Sequence, residues 1–421
     1  MNKRTLLIAV GLLLCGVGAS VAQTTAENEI SVIGKDGNPE VIEMPEAMTT
    51  DIDSLLGLYM SKSYLYIDEN CQTADESPTF PQEVYIERLS RMPTIIEMPY
   101  NDVVRQMIDR YAVRLRRSVS YMLGASNFYN PIFEQALEAY NLPMELKYLP
   151  VIESALNPVA VSRAKATGLW QFMLATGKQY GLKVNSLVDE RCDPIKSSYA
   201  AAHFLSDLYK IFGNWHLVIA AYNCGPENVN KAIRRSNGVK DYWQIYPYLP
   251  KETRGYVPAF IAANYIMTYY CEHNICPLRT QLPIYTDTIM LDRNVHFEQI
   301  AAYCGLAVEH IKSLNPSYRN NIIPGQTELS CLRLPQSYIS KFIDNEDSIY
   351  AYKKDSLLPN RAVVAVNNKE VASPGGRYHR VRSGQTLGGI ARKYRTTVSR
   401  IKRLNGLRSN NIRVGQRLRV R

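Results

Sequence analysis

One carboxylate in the chain is placed where burial could make it a proton donor. Glu153 interrupts an apolar stripe of helical spacing, whose other members are Leu146, Leu149 and Leu156. A carboxyl group held against apolar neighbours is desolvated, which disfavours its charged form and raises its pKa towards neutrality. Glu153 is therefore a candidate general acid. The alternative is a structural carboxylate that caps a helix or pairs with a Lys or Arg side chain.

Four short motifs occur in a particular order and spacing, and the first of them contains this carboxylate. They are Glu153-Ser154, Gly168-Leu169-Trp170-Gln171, Ala221-Tyr222-Asn223-Cys224-Gly225, and Tyr256 within Glu252-Thr253-Arg254-Gly255-Tyr256-Val257. Together they resemble the catalytic segment of the lytic murein transglycosylases with a goose-type lysozyme fold, in particular the membrane-bound D group. The resemblance spans most of the chain. Each motif alone is a weak signal, whereas four in order are a strong one.

The resemblance implies a set of side chains around the acid. Glu153 would be catalytic, and the substrate-binding residues would be Ser154, Ser162, Gln171, Met173, Tyr222, Asn223 and Tyr256. Trp170 could either contact substrate or pack in the core. Cys224 is expected to be a small buried thiol.

The chemistry follows from the number of acids in the motifs. Ordinary glycosidases use two carboxylates, but the matched motifs supply only Glu153. The resemblance implies that Glu153 protonates the oxygen between N-acetylmuramic acid and N-acetylglucosamine. It would then take the proton of the muramyl C6 hydroxyl, which closes a 1,6-anhydro ring without consuming water. We interpret Asp189, Glu190 and Asp193 as loop and helix-cap residues.

Two other functions remain open at this point. A lysozyme-like hydrolase on the same scaffold would need an acid that places a water molecule. A cell-wall tether without catalysis would use only the glycan-binding modules described below. No cofactor is expected, and no Cys-x-x-Cys pair or clustered His suggests a metal site.

Helices must position these groups. Pro150 should kink the helix that carries Glu153, and Asn157-Pro158 should stop it. We expect further helices at 169–180, opened by Gly168, at 215–223 and at 256–270. The predicted fold is a mainly α catalytic domain of the lysozyme-like (SLT) type at 81–280, with its core at about 130–275, followed by small α+β (βααβ) LysM modules.

The beginning of the chain indicates export. Residues 1–22 combine Lys3 and Arg4, an apolar run and small residues ending at Ala22, which is typical of a signal peptide. Cys15 faintly resembles a lipoprotein cysteine, and lipidation there would place the protein on a membrane surface. Residues 23–80 are interpreted as a flexible leader. We expect a periplasmic or envelope protein, with attachment to the outer membrane as a further possibility.

The C-terminal third resembles two glycan-binding modules. Residues 377–421 match nearly the whole LysM pattern, and we place glycan contacts near Gly384, Thr386, Leu387 and Asn411. Residues 284–335 resemble a degenerate copy, interpreted as a structural relic more than a binder. Residues 336–376 are interpreted as a linker.

Charge and cysteine content bear on partners and redox state. Residues 377–421 contain 14 Lys and Arg and no Asp or Glu, so this tail accounts for the net charge of +10. We expect an anionic envelope partner, either the peptide carboxylates of peptidoglycan or anionic lipids, and not nucleic acid. A solvated face with no specific partner is the alternative. We also expect a monomer. Beyond residue 22 the chain has an odd number of cysteines. Disulfides between Cys271 and Cys276 and between Cys304 and Cys331 are two possible pairings.

Overall fold

The computed structural model of the chain describes residues 29–33, 39–49, 65–67, 76–280, 282–283 and 285–358. It also describes residues 378–420 apart from 382–384, 395, 406, 408, 411 and 413–415. The signal peptide and Cys15 lie outside the described residues, as do the predicted LysM contacts Gly384 and Asn411. Among the described residues, no helix is both long enough and apolar enough to cross a bilayer.

The first described elements form a strap on the helical part of the chain. Strands β1 (Glu29–Ile33) and β2 (Pro39–Glu43) pair antiparallel, and a 3-10 turn follows at Glu46–Met48. Ile42 and Met48 are almost completely buried in the main core. The prediction of a flexible leader is therefore wrong for residues 39–48. The apolar side chains of the leader are sparse in the sequence, but among its described residues Ile30, Ile42, Met44 and Met48 are buried in the core.

A helical unit follows the strap. Its helices are α1 (Gln82–Arg91), α2 (Asp102–Asp109), α3 (Arg116–Ala139), α4 (Leu149–Ser154), α5 (Leu174–Gln179), α6 (Pro194–Phe212), α7 (Trp215–Cys224), α8 (Pro226–Arg235), α9 (Tyr242–Ile245) and α10 (Lys251–Thr268). Strand β3 (Leu65–Ile67) pairs antiparallel with β4 (Leu278–Thr280) at the end of this unit.

Helix α10 lies at the centre of the helical unit. Every residue from Gly255 to Met267 is buried, as expected for a helix enclosed on all sides. Helices α2, α4 and α7 pack against it. A Cβ on Gly255 would overlap the carbonyl oxygen of Glu43, so the absence of a side chain lets β2 lie directly on α10. The strap and the central helix are thus one packed body.

Three helix boundaries differ from the sequence prediction. Pro150 lies in the first turn of α4, after a separate 3-10 turn at Met144–Tyr148, and does not kink a longer helix. Helix α5 begins at Leu174 instead of residue 169. Helix α10 begins at Lys251, so Pro258 is inside it and not in its first turn.

The next module is a small α+β unit with its own core. Its elements are β5 (Thr286–Leu291), β6 (Asn294–His296), α11 (Phe297–Cys304), α12 (Val308–Leu314), β7 (Ile322–Pro324) and β8 (Ser330–Pro335). Strand β5 pairs antiparallel with β8, and β6 pairs antiparallel with β7.

Part of the predicted linker belongs to this module. Helices α13 (Ile339–Asp344) and α14 (Glu346–Ala351) bury Phe342, Ile349 and Tyr350 in its core, and α15 (Lys354–Leu357) follows. The linker prediction is wrong for residues 339–351. Their apolar side chains fall at helical spacing, and three of them complete the core.

The last module also has its own core. Strands β9 (Tyr378–Arg380) and β10 (Arg417–Arg419) pair antiparallel around α16 (Leu387–Lys393) and α17 (Val398–Leu404). The buried residues include Leu387, Ile390, Ile401 and Leu418. The described chain is therefore a mainly helical unit followed by two small α+β modules, which confirms the predicted fold class.

Neither possible cysteine pairing is present. Cys276 is disulfide-bonded, but Cys271, Cys304 and Cys331 are all free thiols. Cys304 is buried in the core of the first small module, where desolvation raises the pKa of its thiol.

Candidate active site

Glu153 lines a groove of about 660 Å³ in the helical unit. One face of α5 and one face of α6 form part of its lining, together with the ends of α4 and α7 and the beginning of α10. All the predicted groups of the helical unit except Ser154 meet there. They are Glu153, Ser162, Gln171, Met173, Tyr222, Asn223 and Tyr256.

The end of α4 aims Glu153 at this groove. Ala155 and Leu156 adopt left-handed backbone conformations, with φ of 48° and 60°, so the helix stops directly after Ser154. The predicted stop at Asn157-Pro158 is two residues too late. Because the chain reverses there, Glu153 is partly buried at the end of the helix, with its carboxylate in the wall of the groove.

The environment of Glu153 favours its neutral form. Burial is the largest cause, and it raises the pKa of Glu153 from 4.5 to about 8. A hydrogen bond from Tyr256 acts in the opposite direction, and the negative charge of Glu252 adds to the rise. A carboxyl group with this pKa is protonated at neutral pH and can donate a proton. The alternative of a salt-bridged or capping carboxylate does not fit this environment.

Two tyrosines lie beside the acid. Tyr256, in the second turn of α10, donates its phenol proton to Oε1 of Glu153. Tyr222, near the end of α7, donates to the carbonyl oxygen of Trp170 at 2.8 Å, and the charge of Glu153 raises the pKa of this tyrosine further than burial alone. Both phenols therefore keep their protons and act as hydrogen-bond donors near neutrality.

A tight loop presents the next three side chains. Ser162 accepts a hydrogen bond from the amide of Ala166 at 3.0 Å, and Gln171 donates to the carbonyl of Gly168 at 2.8 Å. Gln171 has a φ of 47°, and Met173 is 46% exposed at the foot of α5. The prediction that Gln171 and Met173 lie within a helix is wrong. They belong to the turn that precedes it.

Gly168 is required at the base of this loop. Its φ of 89° is left-handed, and a Cβ would overlap the carbonyl oxygen of Arg191. The loop therefore rests directly on the backbone before α6. No side chain could occupy this position without displacing it.

Ser154 and Trp170 are structural. Ser154 is buried, and its single hydroxyl proton is shared between the carbonyls of Pro150 at 3.1 Å and Leu169 at 2.9 Å. The predicted role of Ser154 in substrate binding is therefore wrong. Trp170 is 1% exposed, and its indole donates to the hydroxyl of Ser198 at 2.9 Å. Of the two roles open for Trp170, the structure selects core packing.

The end of α7 supplies two more groups. The side-chain oxygen of Asn223 accepts a hydrogen bond from the Thr253 hydroxyl at 2.8 Å, which fixes its amide in the groove wall. Cys224 also lines the groove and is only partly buried. The expectation of a buried thiol at this position is wrong.

Several groove residues were not predicted from the sequence. Glu46 of the strap reaches the groove and accepts a hydrogen bond from the amide of Arg163, beside Ser162, at 3.3 Å. Asp207 on α6 binds Lys210 at 2.9 Å and the phenol of Tyr180 at 3.2 Å. Glu252 is exposed, one turn before Tyr256. Only Glu252 had a signal in the sequence, because it opens the motif that contains Tyr256.

The predicted contacts of the last module divide between core and surface. Leu387 is 2% exposed in the core, so its prediction as a glycan contact is wrong. Thr386 is exposed, and its hydroxyl caps α16 by accepting from the amide of Gly389 at 3.2 Å. Among the described residues there is also no group of His, Cys, Asp and Glu side chains that could hold a metal ion.

Three segments match known family descriptions. Residues 130–245 match the transglycosylase SLT domain, residues 285–351 match the LysM-like domain of the lytic transglycosylase MltD, and residues 379–421 match the LysM domain. The second segment includes α13 and α14, in agreement with the packing of these helices.

The chain is also similar to individual proteins. The membrane-bound lytic murein transglycosylase D of Escherichia coli is 29% identical over 334 residues, which cover 77% of this chain and 70% of the relative. The invasion protein IagB of Salmonella typhimurium is 30% identical over 136 residues, 30% of this chain and 82% of that protein. The crystal structure of the 70 kDa soluble lytic transglycosylase of E. coli aligns with a TM-score of 0.30 at 28% identity, over 35% of this chain and 25% of that one.

Proposed function

Because this chain belongs to the membrane-bound lytic murein transglycosylase D family, we propose that it cleaves peptidoglycan by lytic transglycosylation. The bond is the β-1,4 linkage between N-acetylmuramic acid and N-acetylglucosamine, and the product carries a 1,6-anhydro-muramyl end. The observation that carries this proposal is the position of Glu153, whose raised pKa favours its protonated form, in the wall of a groove lined by Tyr222, Asn223 and Tyr256.

In the first step Glu153 acts as the general acid. Its proton passes to the glycosidic oxygen as the bond from that oxygen to the muramyl C1 breaks, and the N-acetylglucosamine chain leaves as an alcohol. The carboxylate that remains is stabilised by the hydrogen bond from Tyr256. The oxygen of the substrate's acetamido group stabilises the positive charge that develops at C1.

In the second step the same carboxylate acts as the base. Glu153 removes the proton of the muramyl C6 hydroxyl, and the oxygen forms a bond to C1. The proton lost in the first step is thereby restored, and water is neither consumed nor released. The reaction is a lyase reaction that requires one carboxyl group.

The other carboxylates of the groove are poorly placed to direct a water molecule. Glu46 is held by Arg163, and Asp207 is held by Lys210 and Tyr180. Glu252 is exposed to solvent, so holding its carboxylate in one position would cost side-chain entropy. A lysozyme-like hydrolase on this scaffold would depend on Glu252, and we favour the lyase for this reason.

We assign the catalytic core to residues 130–275 and glycan binding by the LysM module to residues 377–421. Residues 377–421 carry 14 Lys and Arg without an acidic residue, which suits the peptide carboxylates of murein. The protein would act as an exported monomer of the periplasm or cell envelope, with Cys15 as the position to examine for attachment to the outer membrane. Cell-wall remodelling is the process that such a reaction serves.

Lysis of purified sacculi tests the proposal. The wild-type protein should release soluble muropeptides, and Glu153→Gln should release almost none while it still binds sacculi through the LysM module. A Glu153→Gln variant with full lytic activity would overturn the proposal and favour a tether without catalysis.

A further inference from the structure

Arg191 supports the loop that presents Ser162, Gln171 and Met173 to the groove. Its guanidinium donates to the carbonyl of Lys165 at 3.3 Å and to the carbonyl of Phe172 at 3.2 Å, at the two sides of the loop. Its backbone carbonyl lies against Gly168. The side chain is 6% exposed, so a solvated cation is not an alternative. Arg191 is thus the internal support of the loop.

Asp189 fixes this guanidinium. Its carboxylate accepts from Arg191 at 2.9 Å and 2.8 Å in a two-pronged contact, and its own side chain is 5% exposed. Burial alone would raise the pKa of Asp189, but the hydrogen bonds and charges of Arg191 and then of Arg319 outweigh burial and lower it. Asp189 is therefore a buried anion shared by two cations. The sequence predicted only a loop or helix-cap residue at this position.

The second cation belongs to the LysM-like module. Arg319 donates to the same carboxylate at 2.6 Å, across 130 residues of sequence. The backbones continue the contact, because the amide of Asp189 donates to the carbonyl of Ser317 at 2.8 Å and the amide of Arg319 donates to that of Leu187 at 2.7 Å. Val188 and Tyr318 form an isolated β-bridge between the two parts of the chain. The module is joined to the helical unit at this point by backbone as well as charge.

In the LysM-like module, the two loops that correspond to the glycan groove of LysM modules pair with each other. In LysM modules the strand-to-helix and helix-to-strand loops form the glycan groove, but here these loops contain β6 and β7, which pair from Asn294 to His296. A Cβ on Gly325 would lie too close to the carbonyls of Leu291 and Arg293, so this pairing is tight. The geometry favours a supporting role for this module over a second glycan site.

We propose that Arg319, Asp189 and Arg191 are positioning residues, through which the docked LysM-like module sets the geometry of the sugar-contacting loop. The inference rests on the proposed transglycosylase function. The module would then be a part of the active-site framework. Displacing it should weaken the binding of glycan without altering the proton chemistry at Glu153.

Kinetics of Arg319→Leu test this inference in the full-length protein. This substitution removes one cation and leaves Asp189 paired with Arg191, so the helical unit should keep its fold. With solubilised uncrosslinked glycan strands as substrate, we expect KM to rise about fivefold or more, with kcat within about twofold of the wild type. Arg319→Lys should recover part of the loss, because an ammonium can still reach the carboxylate.

A matched control lies at the same junction. Lys183 pairs with Glu328 at 2.6 Å, but both side chains are about half exposed, and this pair does not touch the loop. Lys183→Gln should therefore leave KM unchanged. A double-mutant cycle between Arg319→Leu and Ser162→Ala separates positioning from a merely structural contact. If Arg319 acts through the loop that carries Ser162, the rise in KM of the double variant should be smaller than the product of the two single rises.

The outcomes are distinguishable from failure of the proposed function. If wild type gives no anhydro products, the proposed function fails. If wild type is active but Arg319→Leu has the KM of wild type and of Lys183→Gln, only the inference is overturned. Two further results would likewise reduce this contact to structural support alone. One is a fall in the melting temperature of Arg319→Leu with unchanged KM, and the other is a KM increase in the double variant equal to the product of the Arg319→Leu and Ser162→Ala increases.

Discussion

Tyr256 on α10 donates a hydrogen bond to the carboxylate of Glu153 at the end of α4. Burial raises the pKa of the acid, and this bond lowers it, so the final value of about 8 is set by the balance of the two. In the proposed mechanism, the tyrosine stabilises the carboxylate that remains after proton donation. The pair would thereby link the acidity of Glu153 to its second role as a base.

Tyr256→Phe should slow catalysis and shift its pH dependence. Loss of a hydrogen bond to a charged group should reduce kcat by about 10-fold to 100-fold. Because the Tyr256 bond lowers the pKa of Glu153, its removal should move the alkaline limb of the rate profile to higher pH. Rates of glycan cleavage measured across pH check both effects. An alkaline limb that stays in place would show that the phenol does not tune the acid.

The pH profile of the wild type follows from the pKa of Glu153. The general acid must be protonated, so kcat/KM should fall by about tenfold per pH unit above about 8. Below that pH the acid form predominates. An alkaline limb near pH 5 instead of near pH 8 would mean that Glu153 has an ordinary carboxyl pKa and is not the general acid.

The same pKa shift predicts a stability difference between wild type and Glu153→Gln. The folded pKa is raised above the unfolded value of 4.5, so between about 4.5 and about 8 the unfolded chain has lost the proton that the folded chain retains. The free energy of unfolding of the wild type should therefore decline with rising pH in this window, by roughly 5 kcal/mol relative to Glu153→Gln, and level off above it. Urea unfolding of both proteins at several pH values measures the difference. A difference that does not change with pH would contradict the raised pKa.

Ser154 and Ser162 should respond differently to alanine. Ser154→Ala removes a buried hydroxyl whose proton is shared between two carbonyls, and should cost about 1–2 kcal/mol of unfolding free energy with little change in KM. Ser162→Ala lies in the groove and should raise KM with little loss of stability. Thermal unfolding and glycan kinetics of the two variants separate these effects. The reverse pattern would return Ser154 to the substrate site.

Gly168→Ala should damage both stability and binding. The left-handed backbone and the overlap of a Cβ with the carbonyl of Arg191 should cost more than about 2 kcal/mol, since the loop must move to accept the methyl group. Gly181→Ala is a matched control, because its φ is also left-handed at 86° but the methyl group of an alanine there would meet no atom within 4 Å. Equal losses for the two variants would show that backbone conformation alone, and not contact with Arg191, accounts for the requirement.

The sequence predicts the catalytic residue and most of the groove, because these residues lie in short motifs whose order is readable. It does not predict the backbone conformation of the turns beside these motifs. Ala155, Leu156 and Gln171 adopt left-handed conformations that nothing in their own side chains favours, and only the surrounding packing imposes them.

Contacts between segments that are distant in the sequence were also not predicted. Glu46 reaches the groove because the strap packs on α10 at Gly255, and Arg319 reaches Asp189 because the module docks there. Neither contact leaves a local pattern. Charged residues at such positions resemble any solvated surface group until the fold brings them together.

Mass spectrometry of the products tests the central claim most directly. Purified sacculi digested by the wild type should yield muropeptides with 1,6-anhydro ends, each lighter by one water molecule than the corresponding hydrolysis product, and Glu153→Gln should yield neither. Products with reducing muramyl ends from the wild type would contradict the account, because they would require a water molecule where we place the C6 hydroxyl of the substrate.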